Sequence, residues 1–375
     1  MLPGAGLRVV MACDWFVKYT AALARGMAET GADVTLLTRD RVGELPGDAQ
    51  GPDGAVRRYV GEVLGGRGSH HELSGRVRDP SAVSALRALR REVKAFRPQV
   101  VHVQESVLDD PRLLVACGVR RGSYAVTFHD PTPHPGDPIP RLRRRLSERA
   151  LLANAGVIFV HSEVDRDELR KVFRTQAPVE VVPHGTGASE ASPVPPEPTL
   201  LFFGRLVAYK GLAVLLDALP QVWRSVPEAR LVIAGAGELP DHPLLTDPRV
   251  ELRHEHVPED EVPGLFRSTR CVVLPYVQAS QSGVGSQAKV YGRPMVATAA
   301  GGLPELVADG SGRLVAPGDA VALAGALVDV LASPGVAEKL GDLAAAGGRE
   351  ADWPRVAERT IEAYRRHLPS IRTRN

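Results

Sequence analysis

The chain is poor in cysteine, in aromatic residues and in long apolar runs, and each shortage removes a class of protein. Among 375 residues there are three cysteines, Cys13, Cys117 and Cys271, far apart and with no CxxC pair. That spacing favours buried free thiols in a reducing compartment over disulfides or a thiolate zinc site. No stretch reaches the roughly 18 apolar residues that a spanning helix needs. The short apolar strand before Cys13 lacks the basic and long apolar regions of a signal peptide, so the expected location is cytoplasmic. Charge of one sign is also lacking. The 46 Lys and Arg against 44 Asp and Glu leave a net +2, too little to predict a nucleic-acid partner. What is present is 44% hydrophobic and 24% charged residues, the composition of a globular chain. Its length suits two domains better than one or three.

Apolar runs alternate with helix-patterned segments throughout. In the first half the expected strands are Leu7–Met11, Asp33–Thr38, Val100–Val103, Tyr124–Phe128, Val157–Val160 and Val179–Val182, with helices over Lys18–Glu29 and Ser81–Phe96. These runs do not alternate in polarity, the mark of strands buried on both faces of a parallel sheet. Gly185–Thr199 (GTGASEASPVPPEPT) is rich in Pro, Ser and Glu and has no periodicity, so it reads as a linker. The alternation then restarts with strands at Leu200–Phe203, Leu231–Ala234, Val250–Leu252, Val272–Leu274, Met295–Thr298 and Arg313–Val315. The expected fold is α/β: two doubly wound parallel-sheet domains facing a cleft, with ligands beyond the carboxyl ends of the strands. The domains are drawn as 1–190, joined by a C-terminal helix over 353–368, and 191–352.

Three segments of the second half carry chemistry. Gly204-Arg205 at a strand end, with Lys210 at the start of the next helix, forms a cation pair suited to a diphosphate; solvated loop cations are the plainer reading. Ala279–Val284 (ASQSGV) lies between a strand and a helix, where Ser280, Ser282 and Gly283 offer donors to phosphate oxygens. An N-cap by Ser280 or Ser282 needs no ligand. Gly301-Gly302-Leu303-Pro304-Glu305 opens another helix, with Glu305 placed to accept from sugar hydroxyls or simply to face the helix dipole.

In order and spacing these segments, with VIAGAGEL (Val232–Leu239), VPEDEVPGLFRSTRCVVLPY (Val257–Tyr276) and GRPMVATAAGGLPELVADGSGRLVAPGD (Gly292–Asp319), resemble the retaining glycosyltransferases of family 4. VVHVQE (Val100–Glu105), FHD (Phe128–Asp130), VHSE (Val160–Glu163) and VVPHG (Val181–Gly185) match more loosely, and Trp353 opens a last helix. The resemblance implies the GT-B fold, two Rossmann-like domains with the nucleotide-sugar bound mainly by the second. It makes Arg205 and Lys210 the pair that holds the donor diphosphate and stabilises the leaving group. His129 takes the place of a histidine that reaches toward the reaction centre, its tautomer set by a nearby backbone carbonyl. Val257 follows a strand whose backbone meets the nucleotide base, and Gly204, Ser280, Gln281, Ser282, Gly283, Val284, Gly302, Leu303, Pro304 and Glu305 line the donor side. His161 and His184 are read as structural strand-end residues, and His70-His71 as a loop. Such enzymes need no cofactor, no metal and no protein nucleophile.

Two departures stand out. The family commonly carries two Glu in the stretch before a Gly-x-Pro; here Ala279 and Gln287 occupy those positions. Gln287 retains the capacity to bond ribose hydroxyls, whereas Ala279 has lost the charge. After the first strand, where a glycine-rich loop is expected, the chain has DWFVKYT. Asp14, Trp15, Phe16 and Lys18 are thereby assigned to the acceptor side. Asp109-Asp110 before Pro111 reads as helix capping and not as a metal pair. Pro140–Ala150 (PRLRRRLSERA) is a basic helical stretch, either a solvated face or a peripheral contact with anionic lipid. The reaction implied is transfer from a UDP- or GDP-type sugar to a hydroxyl of a glycan, a lipid-linked sugar or a secondary metabolite. A sugar-nucleotide 2-epimerase and a non-catalytic nucleotide-sugar-binding protein are the competing readings.

Overall fold

In the computed structural model, residues 2–40, 54–74, 82–129, 131, 142–279 and 282–372 are described. They form two compact units that divide between Gly185 and Thr186 and again between Asp352 and Trp353. The first unit contains β1 (Arg8–Ala12), α1 (Val17–Glu29), β2 (Asp33–Arg39), α2 (Ala55–Leu64), β3 (Ser69–Leu73), α3 (Ala82–Phe96) and β4 (Val100–Gln104). It continues through α4 (Arg112–Cys117), β5 (Tyr124–Thr127), α5 (Leu142–Ala153), β6 (Val157–Val160), α6 (Glu163–Phe173) and β7 (Val179–Val181). Its sheet is parallel throughout, in the order β3-β2-β1-β4-β5-β6-β7. β4, β5 and β6 are buried along their whole length, which explains why their sequences do not alternate between apolar and polar residues.

The second unit holds β8 (Thr199–Phe203), α7 (Leu212–Ser225), β9 (Arg230–Ala234), β10 (Val250–Arg253), α8 (Val262–Arg267), β11 (Cys271–Leu274) and α9 (Gly283–Val290). After these come β12 (Met295–Thr298), α10 (Leu303–Leu306), β13 (Gly312–Val315), α11 (Ala320–Ala332) and α12 (Pro334–Glu350). The order is β10-β9-β8-β11-β12-β13, again all parallel. Both sheets reverse direction of growth once, between β1 and β4 in the first and between β8 and β11 in the second. In doubly wound sheets those reversals leave a crevice at the carboxyl ends of the strands, and that is where ligands bind.

The chain ends in α13 (Trp353–His367) and α14 (Pro369–Arg372), which belong to the first unit. α13 packs on α1 so closely that a methyl group on Gly26 would come 2.5 Å from the Trp353 carbonyl oxygen. Its Tyr364 hydroxyl lies 2.5 Å from Nδ1 of His102 in β4, and Nε2 of the same ring lies 2.7 Å from Thr127 Oγ1. Burial lowers the His102 pKa to about 3. The neutral ring thus ties the last helix to the first sheet through satisfied polar contacts.

Several expectations need correction. His70 and His71 lie in β3, an edge strand, with His70 Nε2 2.9 Å from Thr38 Oγ1. Their strand reads SHHEL, too polar to signal a strand, and α2 before it was also missed. Gly185–Thr199 does connect the units, but it is not a free tether. Arg293, fully buried, donates to the carbonyls of Ser192 (2.6 Å), Pro193 (3.0 Å) and Tyr291 (3.0 Å). Arg270 donates to the carbonyls of Pro195 (3.0 Å), Pro196 and Leu331 (2.5 Å). Two arginines hidden in the second unit therefore pin residues 192–196 to it. Asp110 accepts from the Arg112 backbone N–H at 3.2 Å and also pairs with the Arg112 and Arg39 guanidinium groups, so it is both a cap and part of a buried ion network.

All three cysteines are buried and none forms a disulfide among the described residues. Among the described residues no single helix is long and apolar enough to cross a membrane. α5 covers the basic stretch from Leu142 onward, with Leu146 54% exposed; Pro140 and Arg141 lie outside the described residues.

Candidate active site

The second unit has a cavity of about 600 Å3 at the carboxyl ends of its strands, lined in part by Gly204, Arg205, Gly237, Val257, Glu259 and Gln287. β8 ends at Phe203, and Gly204 follows with φ +95°. A methyl group on Gly204 would approach Lys210 Nζ to 3.1 Å and a Val284 methyl to 3.3 Å. The bare backbone here lets the cation, the cavity wall and α9 converge. Lys210 does not open α7. It closes a 3-10 turn (Ala208–Lys210), and Gly211 intervenes before the helix.

The two cations are electrically exposed to one another. The Lys210 ammonium sits 5.5 Å from the centre of the Tyr276 ring. Burial first, and the neighbouring Arg205 charge second, lower its pKa to about 8. Arg205 donates to the Tyr209 hydroxyl at 3.3 Å. Among the described residues no carboxylate pairs with either cation. Arg205 itself is exposed, so the cost falls on the Lys210 ammonium, and a bound dianion would offset it.

Gln287 adds a second incomplete contact. Its side-chain carbonyl oxygen is buried in α9, on the cavity wall, and has no hydrogen-bond partner among the described residues. Ser282 is the N-cap of α9, its hydroxyl accepting from Gly285 N–H at 3.2 Å and lying 3.3 Å from the buried Tyr276 hydroxyl. The capping role is thus occupied by Ser282, while Ser280 and Gln281 lie outside the described residues. Gly283 is exposed and Val284 buried.

The next junction is welded to this one. Gly301 has φ +50°, and a methyl group on it would fall 1.6 Å from the Ala279 carbonyl oxygen. Leu303 is fully buried in the core and donates its N–H to Ala300 at 3.1 Å, so it supports the loop from below. Gly302 is also buried, with Pro304 and Glu305 half-buried beside it in the four-residue α10. None of Gly302–Glu305 lines the cavity, whereas Gly204, Arg205, Val257 and Gln287 do. The cavity also uses Phe203, Gly235, Ala236, Gly237, His256, Glu259 and Val262, which were not singled out as site residues. The signal for three of them was the Gly-x-Gly after β9.

The first unit gathers its own polar cluster at the carboxyl ends of β1, β4, β5 and β6. His129, 6% exposed, presents Nε2 to Gln104 Oε1 at 2.8 Å and Nδ1 to His161 Nε2 at 3.1 Å. His161 Nδ1 faces the Val182 carbonyl at 3.1 Å. The expected backbone carbonyl is therefore present but one ring removed. A carbonyl only accepts, so His161 carries its proton on Nδ1 and accepts at Nε2 from His129 Nδ1–H. His129 Nε2 is then a lone pair. The buried Gln104 Nε2, which has no partner as placed, satisfies that lone pair when the amide is turned over. Burial, then the charges of His161, His184 and His102, hold the His129 pKa well below its ordinary value.

Phe16 covers this ring. The Phe16 and His129 ring centres are 3.9 Å apart with 18° between their planes, and Tyr19 meets His129 edge-on at 4.8 Å. Phe16 has φ +57° at the N-cap of α1 and makes no side-chain cap. That backbone costs a non-glycine residue about 1–2 kcal/mol. Of the other residues assigned to the acceptor side, Trp15 is 46% exposed and Lys18 half-buried. Asp14 is buried, 3.5 Å from the Arg39 guanidinium.

Comparison with known proteins adds to this geometry. Residues 17–189 match the profile described as Glycosyltransferase Family 4, and residues 197–333 match Glycosyl transferases group 1. The D-inositol 3-phosphate glycosyltransferase of Actinosynnema mirum is 28% identical over 92% of this chain and 90% of that protein. A glycogen synthase of Mycobacterium tuberculosis is 26% identical over 92% of this chain and 90% of its own length. The crystal structure of Anabaena HepE in complex with UDP and glucose superimposes with a TM-score of 0.68, covering 95% of this chain and 99% of that one. At 15% identity the last likeness speaks for the fold alone, and that fold is GT-B. The chain belongs to glycosyltransferase family 4, a family of retaining enzymes that use nucleotide-sugar donors.

Proposed function

We propose that the protein transfers a sugar from a UDP- or GDP-type nucleotide sugar to a hydroxyl of a glycan, a lipid-linked sugar or a secondary metabolite, with retention and without a metal. The observation that carries this reading is the pair Arg205, which lines the cavity, and Lys210 beside it, neighbouring cations with no carboxylate partner among the described residues. They supply the positive charge that a departing diphosphate needs as the glycosidic bond breaks. In this reading Gln287 accepts from a ribose hydroxyl and Val257 borders the base. The leaving phosphate oxygen takes the acceptor proton on the same face, so no general base is required.

The glycogen synthase and D-inositol 3-phosphate relatives act on different acceptors by their names. The acceptor side of this chain, with Trp15 and Phe16 in place of glycines, belongs to neither by inheritance. The reading is tested by Arg205→Ala and Lys210→Ala in a transfer assay over UDP-, GDP-, ADP- and TDP-sugars. Each variant is expected to lose turnover by on the order of a hundredfold or more. Full turnover in both variants would refute the assignment. Conversion of donor with no acceptor present would instead favour an epimerase.

A further inference from the structure

We propose that Phe16 is a positioning residue for transfer: its ring, carried over His129 by a left-handed backbone, fixes the plane and the proton arrangement of that imidazole. The proposal rests on the reading that His129 serves the transfer chemistry. Three observations carry it together. The stack is close and nearly parallel, 3.9 Å and 18°. Both His129 nitrogens are held in the ring plane by Gln104 and His161, so the ring faces are the only remaining freedom. Phe16 also occupies a backbone conformation that glycine adopts without strain, at an N-cap where it forms no side-chain bond.

Helix initiation does not explain this choice. Gly or Asn would take that left-handed backbone with less strain. What phenylalanine adds is a flat apolar lid that excludes water from one imidazole face. Tyr19 stands edge-on to the same ring, and also lies 5.1 Å from the His161 ring and 5.2 Å from the His184 ring. Among the described residues, the titratable groups around His129 are His161 after β6, His184 after β7, Tyr19 on α1 and His102 on β4, with Glu105 acting on Tyr19. Three of these are histidines whose charging would repel a second proton. With water excluded as well, His129 stays neutral, its proton on Nδ1.

The test needs no knowledge of the acceptor for its first readout. In full-length protein with 15N-labelled histidine, NMR follows the His129 tautomer and its titration. The wild type is expected to show a fixed Nδ1–H ring with no titration near pH 6. Phe16→Leu keeps apolar bulk but removes the stack, and its His129 ring is expected to lose the single fixed tautomer and to titrate at a higher pH than in the wild type. Phe16→Tyr, which retains the ring, should behave as the wild type. With whichever nucleotide sugar the protein turns over, Phe16→Leu should lower kcat roughly ten- to hundredfold at unchanged donor KM, and add an acid limb to the pH profile.

A merely structural role for Phe16 would lower the melting temperature without moving the His129 titration, and that result overturns the proposal. So does a Phe16→Leu enzyme whose only change is a higher acceptor KM. His129→Ala separates the two claims. If it leaves kcat intact, His129 has no part in transfer. If it abolishes kcat while Phe16→Leu has no effect on tautomer or rate, His129 serves transfer and Phe16 does not position it.

Discussion

Raising the pH from 7 to 9 should weaken nucleotide diphosphate binding while it strengthens the fold, and Lys210 is the reason for both. Burial, with the Arg205 charge adding to it, lowers the Lys210 pKa from 10.5 to about 8 in the free protein. The ammonium is then roughly nine-tenths charged at pH 7 and about one-tenth charged at pH 9. A bound diphosphate holds it charged. Affinity should therefore fall about tenfold between pH 7 and 9 and about tenfold per unit beyond, until the pKa of the bound state is reached. The diphosphate is itself fully ionised above about pH 7 and contributes no slope. For folding the sign is opposite. The folded pKa lies below the unfolded one, so between about pH 8 and 10.5 the unfolded chain binds more protons and stability rises with pH.

Lys210→Met should remove both slopes. It should also raise stability at pH 7, by up to about 3 kcal/mol for a displacement of this size. Titration calorimetry with UDP and with GDP at pH 7, 8 and 9, alongside melting curves, measures the two effects on the same samples. A wild-type affinity that is flat from pH 7 to 9 refutes the argument, as does Lys210→Met binding the nucleotide as tightly as the parent.

Much of this site was legible because sequence pattern and geometry coincide at strand ends. Arg205 was located by the buried apolar run of β8, and Val257 and Gln287 by the resemblance to family 4; all three line the cavity. The less legible parts depend on contacts that no local pattern encodes. His129 meets Gln104 and His161, which are 25 and 32 residues away along the chain. Phe16 announces itself only as a missing glycine. β3 was invisible because an edge strand of Ser, His and Glu has no apolar face to show. The linker looked free because the arginines that pin it, Arg270 and Arg293, lie far along the chain from the segment. The loop that bears Leu303 was read as ligand-facing, but Leu303 itself is core.

Further outcomes follow from the same contacts. Gln287→Leu should raise the donor KM about tenfold by removing the unpartnered carbonyl oxygen, with Gln287→Glu close to the parent in steady-state assays. Arg293→Met removes the guanidinium donors to the Ser192, Pro193 and Tyr291 carbonyls, of which Tyr291 keeps only a long bond from the Ser192 N–H. It should cost about 3 kcal/mol or more in urea unfolding. His102 is neutral in the fold with a pKa of about 3, below its unfolded value, so its contribution is present above about pH 6.5 and is lost as pH falls. That is about 2 kcal/mol by pH 5, and a His102→Gln variant should show a correspondingly shallower acid-unfolding curve.

In the proposed function, the second unit holds a nucleotide-sugar donor from which the protein moves the sugar with retention. Proton NMR of the reaction mixture tests it most directly, with the wild type, each of the four nucleotide sugars and a panel of hydroxyl acceptors. The account predicts a glycoside whose anomeric coupling matches that of the donor, formed by the wild type and not by Arg205→Ala. Tight nucleotide-sugar binding with no glycoside across the panel, or a product of inverted configuration, would contradict it.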